Sequence, residues 1–223
     1  PKVLNGWGSR PYQWEFSTSV QHELRRGLSL DVGYFRRWFG NFGVTDNLNL
    51  TAADFGSFSV TAPVDPRLPD GGGYTVNGFW NLNPDKVGLV PNKYFTFAKD
   101  HGVQTEHWNG MDVTVNWRLP ASMTIQGGVS TGRRVLDTCD VIDGLPEAAV
   151  LTAPYCHQKE DFLTDGKLVW TYTVPKVDVT VSGLFFSRPG PPLSANQVIP
   201  NSVVRESLGR DLSANAQNVT VNL

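Results

Sequence analysis

The side chains that could do chemistry fall into a few groups. Asp46, Asn47, Asn49, Thr51 and Asp54 gather oxygen donors of the kind that hold Ca²⁺, but they lack the spacing of a calcium-binding helix–loop–helix. Asn and Asp at this density also close ordinary loops through Asx turns, and that reading carries more weight. Asp100, His101, Glu106 and His107 could ligate a transition metal, yet they fit a solvated strand entry better. Gly71-Gly72-Gly73 follows no strand and opens no helix, which argues against a phosphate loop. No Ser/His/Asp arrangement is legible. The expectation is a protein that is not an enzyme and has no metal and no cofactor.

Aromatic and amide side chains are the better candidates for ligand contact. Trp38, Phe39, Asn41, Phe79, Trp80, Asn81 and Asn83 lie in one long stretch, and indole faces beside amide groups suit sugars or peptides. Packing of loop on loop accounts for them equally well. Cys139 and Cys156 are the two cysteines. Close in sequence and flanked by loop residues, they suggest a disulfide made in an oxidising compartment. The alternative is two free thiols. A zinc site is disfavoured, because there is no second cysteine pair and His157 directly adjoins Cys156.

The elements that would position these groups are announced by period-two alternation. Trp14, Phe16, Thr18, Val20, His22 and Leu24 share one face, with Glu15, Ser17, Ser19, Gln21 and Glu23 on the other. After Arg25-Arg26-Gly27, the residues Leu28, Leu30, Val32 and Tyr34 alternate with Ser29, Asp31 and Gly33. The pattern recurs in Met111–Leu119 and in Met123–Ser130, across a Pro120-Ala121-Ser122 turn. It recurs again in Phe162–Val174 and Val177–Phe185, across Pro175-Lys176. Three antiparallel hairpins are predicted at about 12–35, 108–131 and 163–186. The connections between them, about 36–105, 132–161 and 187–217, have no sustained period and carry most of the prolines, among them Pro66, Pro69, Pro189, Pro191 and Pro192.

Tight turns therefore alternate with long loops. Compact soluble domains seldom carry such loops, whereas outer-membrane barrels have short periplasmic turns and long extracellular loops. The 22 glycines, 15 prolines and 11% aromatics suit a turn-rich β protein. A formal net charge of −2 gives no basic stripe for nucleic acid. No apolar run approaches the length of a transmembrane helix. Aromatic placement separates a lipid face from a buried one. Trp117, Trp170 and Tyr172 fall near the short turns, and Trp14, Tyr34 and Phe185 near the long loops, bracketing an aliphatic band as lipid interfaces select. On this reading Val20, Leu30, Val32, Val113, Val115, Ile125, Leu168, Val179 and Val181 face outward. Ser19, Asp31, Thr114, Gln126, Lys167 and Thr180 face inward.

Short motifs on these strands resemble a known family. Trp14-Glu15-Phe16-Ser17, Gln21-His22-Glu23-Leu24 and Leu30-Asp31-Val32-Gly33-Tyr34-Phe35 are similar to a hairpin in the barrels of TonB-dependent receptors. The resemblance is to the large acidobacterial type with an N-terminal carboxypeptidase-regulatory-like domain. Asn109-Gly110-Met111-Asp112-Val113-Thr114-Val115 resembles a strand of the same barrels, and Thr173-Val174-Pro175 before Val177-Asp178-Val179 a later hairpin. The resemblance implies a barrel of about 22 strands around a plug, importing a scarce ligand with energy delivered through TonB. The implied partners are outer-membrane lipid, the rest of the barrel and its plug, TonB, and a small extracellular ligand. No plug, TonB box or terminal aromatic strand is present in the sequence. The chain also opens at Pro1 and stops within the alternating run Val219–Leu223. The expectation is one partial barrel domain over 1–223, from the C-terminal part of such a receptor. A passive porin-like channel and a soluble secreted β-sandwich that binds carbohydrate remain alternatives.

Overall fold

The computed structural model describes residues 6, 8–191 and 193–223. Pro1 and Pro192 lie outside them. In chain order the strands and helices are β1 (Tyr12–Arg25), β2 (Leu28–Gly40), β3 (Gly43–Asn47), β4 (Phe55–Thr61), β5 (Thr75–Leu82), β6 (Lys93–Phe97), β7 (Thr105–Leu119), β8 (Met123–Asp137), α1 (Cys139–Gly144), β9 (His157–Lys159), β10 (Leu163–Val174), β11 (Val179–Ser187), β12 (Asn196–Pro200), α2 (Asn201–Leu208) and β13 (Asn218–Asn222).

The six long strands form one antiparallel up-and-down sheet in the order β1-β2-β7-β8-β10-β11, with β9 added against β8. The three predicted hairpins are present and run further than alternation alone indicated, to Gly40 in β2 and to Asp137 in β8. All three tight turns lie at one end of the sheet. Gly27 supplies a positive φ of 81° in the first, and its N–H donates to Glu23 Oε1 at 3.0 Å. In the second, Ala121 and Ser122 both have positive φ, as a tight hairpin turn demands.

Register preserves the two faces across every strand pair. Val20, Val32, Val113 and Val129 stand in one row. Leu30, Val115, Gly127, Leu168 and Phe185 stand in the next. Asp31, Thr114 and Lys167 fall on the opposite, polar face. A slip of one residue would mix the sets; the one register shift among the described residues of the sheet falls between Glu23 and Arg25, beside the first tight turn, where Arg25 stands across from Leu28. Phe185 departs from expectation. It sits in the aliphatic row of Val115 rather than at the level of Trp14, because β10 and β11 are staggered along the sheet and distance from a turn does not measure level.

The apolar face of this sheet is bare. Val20 is 69% exposed and Phe185 62%. Every buried apolar side chain among the described residues lies instead in the three long connections or, for Val221, in the alternating run that follows the third. That corrects the expectation of connections without regular structure. Together with that run they fold into a cap at the end opposite the tight turns. The antiparallel pairs β3–β6 and β4–β5 come from the first connection, α1 and β9 from the second, and β12 and α2 from the third, with β13, in the alternating run, pairing antiparallel to β12.

Phe58, Val60 and Phe79 of the first connection share a core with Ile199, Val204 and Leu212 of the third and Val221 of β13, and Leu151 of the second packs on it. A smaller cluster joins Ala98 to Val141 and Leu145, against Phe42 and Val44. In α2 the inward side chains are Val204 and Leu208, one helical turn apart. Gly209, in the left-handed conformation at φ 74°, ends the helix.

Candidate functional site

The residues singled out in the sequence separate in space. Phe79 is fully buried and stacks on Phe58, with ring centroids 5.3 Å apart. It is a core residue of the cap and has no surface to offer a ligand, contrary to expectation. Asn81 and Asn83 are occupied as well. Arg210 Nη1 donates to Asn81 Oδ1 at 2.7 Å, and Nη2 donates to the carbonyls of Asn81 and Leu82 and to Asn83 Oδ1 at 3.0–3.2 Å. The Ser213 N–H also donates to Asn81 Oδ1 at 3.1 Å, and its hydroxyl donates to the Leu82 carbonyl. These amides tie the third connection to the first, which is loop-on-loop packing. Trp80 is half-buried and its backbone N–H donates to the Val150 carbonyl at 2.8 Å.

Trp38 belongs to the sheet. It lies on the apolar face opposite Trp14 and His107, with the Arg36 guanidinium 5.0 Å from its ring centre. Asn41 makes the bend that leads from β2 into the cap. Its φ is 55°, and its amide donates to the carbonyls of Gly8 and Arg10. It also lines a hollow of about 450 Å³ where sheet meets cap, walled by Tyr12, Phe39, Phe42, Phe97 and Lys99. Lys99 Nζ stands 5.0 Å above the Phe97 ring. Aromatic walls with an amide and an ammonium can hold a small polar molecule that has one apolar side. Phe39 and Asn41 are candidates from the sequence; Phe42, Phe97 and Lys99 join them only through this meeting of strand ends, which no local pattern in the sequence announces.

Phe39 also stands across from Glu106 on the polar face of the sheet. Beside them the row Glu15, Arg37, Trp108 and Arg134 crosses four strands. Arg37 pairs with Glu15, and Arg134 Nε donates to Glu106 Oε1 at 2.7 Å. The Arg37 guanidinium lies 5.7 Å from the Trp108 ring centre. The indole lies flat on the strands because Gly110 and Gly132 lack side chains. A Cβ there would come within 2.0 Å and 2.2 Å of the ring. The row is a set of satisfied charges, each pair contributing a fraction of a kcal/mol at this exposure, about 0.2–1. Nearer the tight turns, a second hollow of about 710 Å³ opens among Gln21, Glu23, Ser29, Asn116, Arg118 and Thr124, nearly all on the polar face.

The metal candidates are engaged elsewhere. Asp54 meets Lys86 Nζ at 3.0 Å and accepts from the Thr51 N–H and hydroxyl. That pairing with Lys86 holds its carboxyl below the ordinary carboxylate range. Asn47 Oδ1 accepts from the Asn92 N–H at 2.9 Å. Asp46 lies 3.8 Å from His101 Nε2, and Asp100 accepts from the Thr96 hydroxyl at 2.6 Å. Glu106 and His107, adjacent in the strand, point to opposite faces. Among the described residues no three such groups converge.

Cys139 and Cys156 form a disulfide with Cα atoms 4.8 Å apart. It clamps the start of α1 to the residue before β9, where the Thr138 N–H donates to the Cys156 carbonyl at 3.0 Å. No family model, curated protein or solved structure matches this chain.

Proposed function

We propose that this chain is part of the barrel of an outer-membrane receptor of the TonB-dependent type, which takes up a small extracellular ligand. The observation that carries the reading is the bare apolar face of a long up-and-down sheet. Six strands align their apolar side chains in register without covering them, while the same chain builds a well-buried core a short distance away in the cap. A sandwich in water would bury that face; hydrocarbon is the solvent that leaves it exposed at no cost.

Dimensions support the same reading. Ten residues along β2 separate the row of Trp38 from that of Leu28, whose β7 partner is Trp117. At roughly 3.3 Å per residue and a tilt near 40°, that is about 25 Å across the membrane, the height of the apolar band of such barrels. On this reading the tight turns are periplasmic and the cap is extracellular. The polar face lines the lumen, where the remaining strands and a plug complete the protein. The ligand first meets the hollow bounded by Asn41 and Phe97. Sugars and short peptides have the mixed polar and apolar surface that this hollow suits.

The test is a matched pair of substitutions in the full-length protein. Val115→Arg puts a charge on the apolar face at the level of Leu30 and Leu168; Thr114→Arg puts it on the polar face. The former costs about 2–4 kcal/mol in lipid and the latter little, so Val115→Arg should empty the outer-membrane fraction while Thr114→Arg leaves it filled. Equal effects would return the chain to the soluble sandwich. Normal assembly without capture by the periplasmic domain of TonB would return it to the passive channel.

A further inference from the structure

We infer that the row Arg36–Asn109–Arg133 on the apolar face binds the phosphate of an anionic lipid headgroup, an inference that rests on the reading of this face as the one that meets lipid.

The three residues come from β2, β7 and β8. Asn109 is the direct register partner of both arginines, so the two arginine Cα atoms lie about 10 Å apart, two strand spacings. Arginine side chains starting that far apart can close on one phosphate between them. The Tyr34 hydroxyl donates to Asn109 Oδ1 at 3.3 Å, which leaves the amide NH₂ as a third donor in the middle of the row.

Both arginines lack a counter-charge. Elsewhere on the sheet Arg37 and Arg134 have carboxylate partners. Arg36 and Arg133 take part in no ion pair among the described residues, and the Nε of each is buried with no acceptor. Their neighbours on the same face, along the strand and across it, are Phe16, Tyr34, Trp38, Thr131 and Val135, none of them acidic. Each guanidinium lies over an aromatic ring, Arg36 5.0 Å from the centre of Trp38 and Arg133 4.8 Å from that of Phe162. The rings fix the cations but neutralise nothing. An unpaired guanidinium is a fork of donors matched to phosphate oxygens.

The level of the row selects the source of the phosphate. It lies on the cap side of the aliphatic rows of Val20 and Leu30, and one row inside Trp14 and Trp38. Aromatic belts sit at headgroup depth, and long cationic side chains at that depth extend toward the interface. A free anion from water would meet the polar face or the cap; an anion held at this depth is anchored by acyl chains that the exposed Phe16, Val20 and Val113 can accommodate.

The test uses the natural full-length protein in nanodiscs of phosphatidylcholine, with and without phosphatidic acid. Native mass spectrometry counts the lipids retained. The wild-type protein should retain phosphatidic acid over phosphatidylcholine by about tenfold, the scale of one charge-assisted hydrogen-bonded contact. Arg36→Gln with Arg133→Gln should abolish the preference, and Arg37→Gln on the polar face should leave it intact. Addition of inorganic phosphate should not displace the lipid. A protein that enters the discs with no preference, or whose preference survives the double substitution, overturns the inference and leaves the membrane reading standing. Full displacement by inorganic phosphate also overturns it, in favour of a simple anion site. Failure to enter discs at all removes both.

Discussion

Arg210 donates to four acceptors on Asn81, Leu82 and Asn83; its loss would take a donor from all four at once, while Ser213 still serves Asn81 Oδ1 and the Leu82 carbonyl. Arg210→Ala should destabilise the cap by about 2–3 kcal/mol, the cost of leaving partly buried acceptors without donors. Arg210→Lys should recover only part of it, because an ammonium cannot reproduce the planar fork. Hydrogen exchange at Trp80–Asn83 checks this; unchanged protection in Arg210→Ala would remove Arg210 from its central place. Asp65 offers a test by pH. Arg67 donates to it from Nε at 3.0 Å and Nη2 at 2.7 Å, with a backbone N–H at 2.9 Å. These hydrogen bonds, the side-chain ones foremost, lower its pKa to about 2 from 3.8. A folded-state pKa below the ordinary value means that the contribution is complete above the ordinary value and is lost as pH falls toward 2. Asp65→Asn should therefore lower the cap's thermal midpoint slightly at neutral pH and match the parent protein near pH 2. A difference that persists or grows in acid would contradict the assignment.

The disulfide acts on an element that has little else to hold it. Between Cys139 and Cys156 the chain forms the single short helix α1 and two turns of 3₁₀ helix, with Val141, Leu145, Pro146, Ala149 and Ala153 as its buried apolar side chains, most of them small. Replacing both cysteines by Ser should cost the second connection about 3 kcal/mol by freeing the unfolded loop. Loss of exchange protection around β9 and α1, with that of β7 and β8 unchanged, is the expected pattern. This contrast reflects what was legible beforehand. The long strands, from the 9 residues of β11 to the 15 of β7 and β8, carry unbroken stretches of alternation, so hairpins, turns and faces could be read directly from Val20, Leu30 or Val115. The cap strands are shorter, and β4 hides its pattern further. A register shift between Phe58 and Val60 spaces its inward residues unevenly. Beyond Phe58, the core that encloses Phe79 is completed by Ile199, Val204, Leu212 and Val221, more than a hundred residues onward, where no local window reaches. Trp38, Asn41, Phe79 and Trp80 were thus found as an aromatic and amide group, yet their separation onto a sheet face, a bend and a core was not legible.

At the scale of the whole molecule, burial and exposure are divided by region: the cap buries its apolar side chains, and the sheet displays them. On the proposed reading the two regions meet different solvents, and detergent should then matter to the sheet far more than to the cap. The cap also has a sequence in time. Ser207 Oγ donates to the Ser59 carbonyl across 148 residues of chain, and Tyr155 donates to the Asn222 carbonyl at 2.7 Å. Phe58 and Phe79 are made early, but Ile199, Val204, Leu212 and Val221, which complete their core, follow more than a hundred residues later. Until that stretch is made the first connection has only half a core, and its apolar side chains stay open to wrong partners, so the segment from Asn196 to Asn222 acts as a late-arriving lid on a surface that is sticky without it.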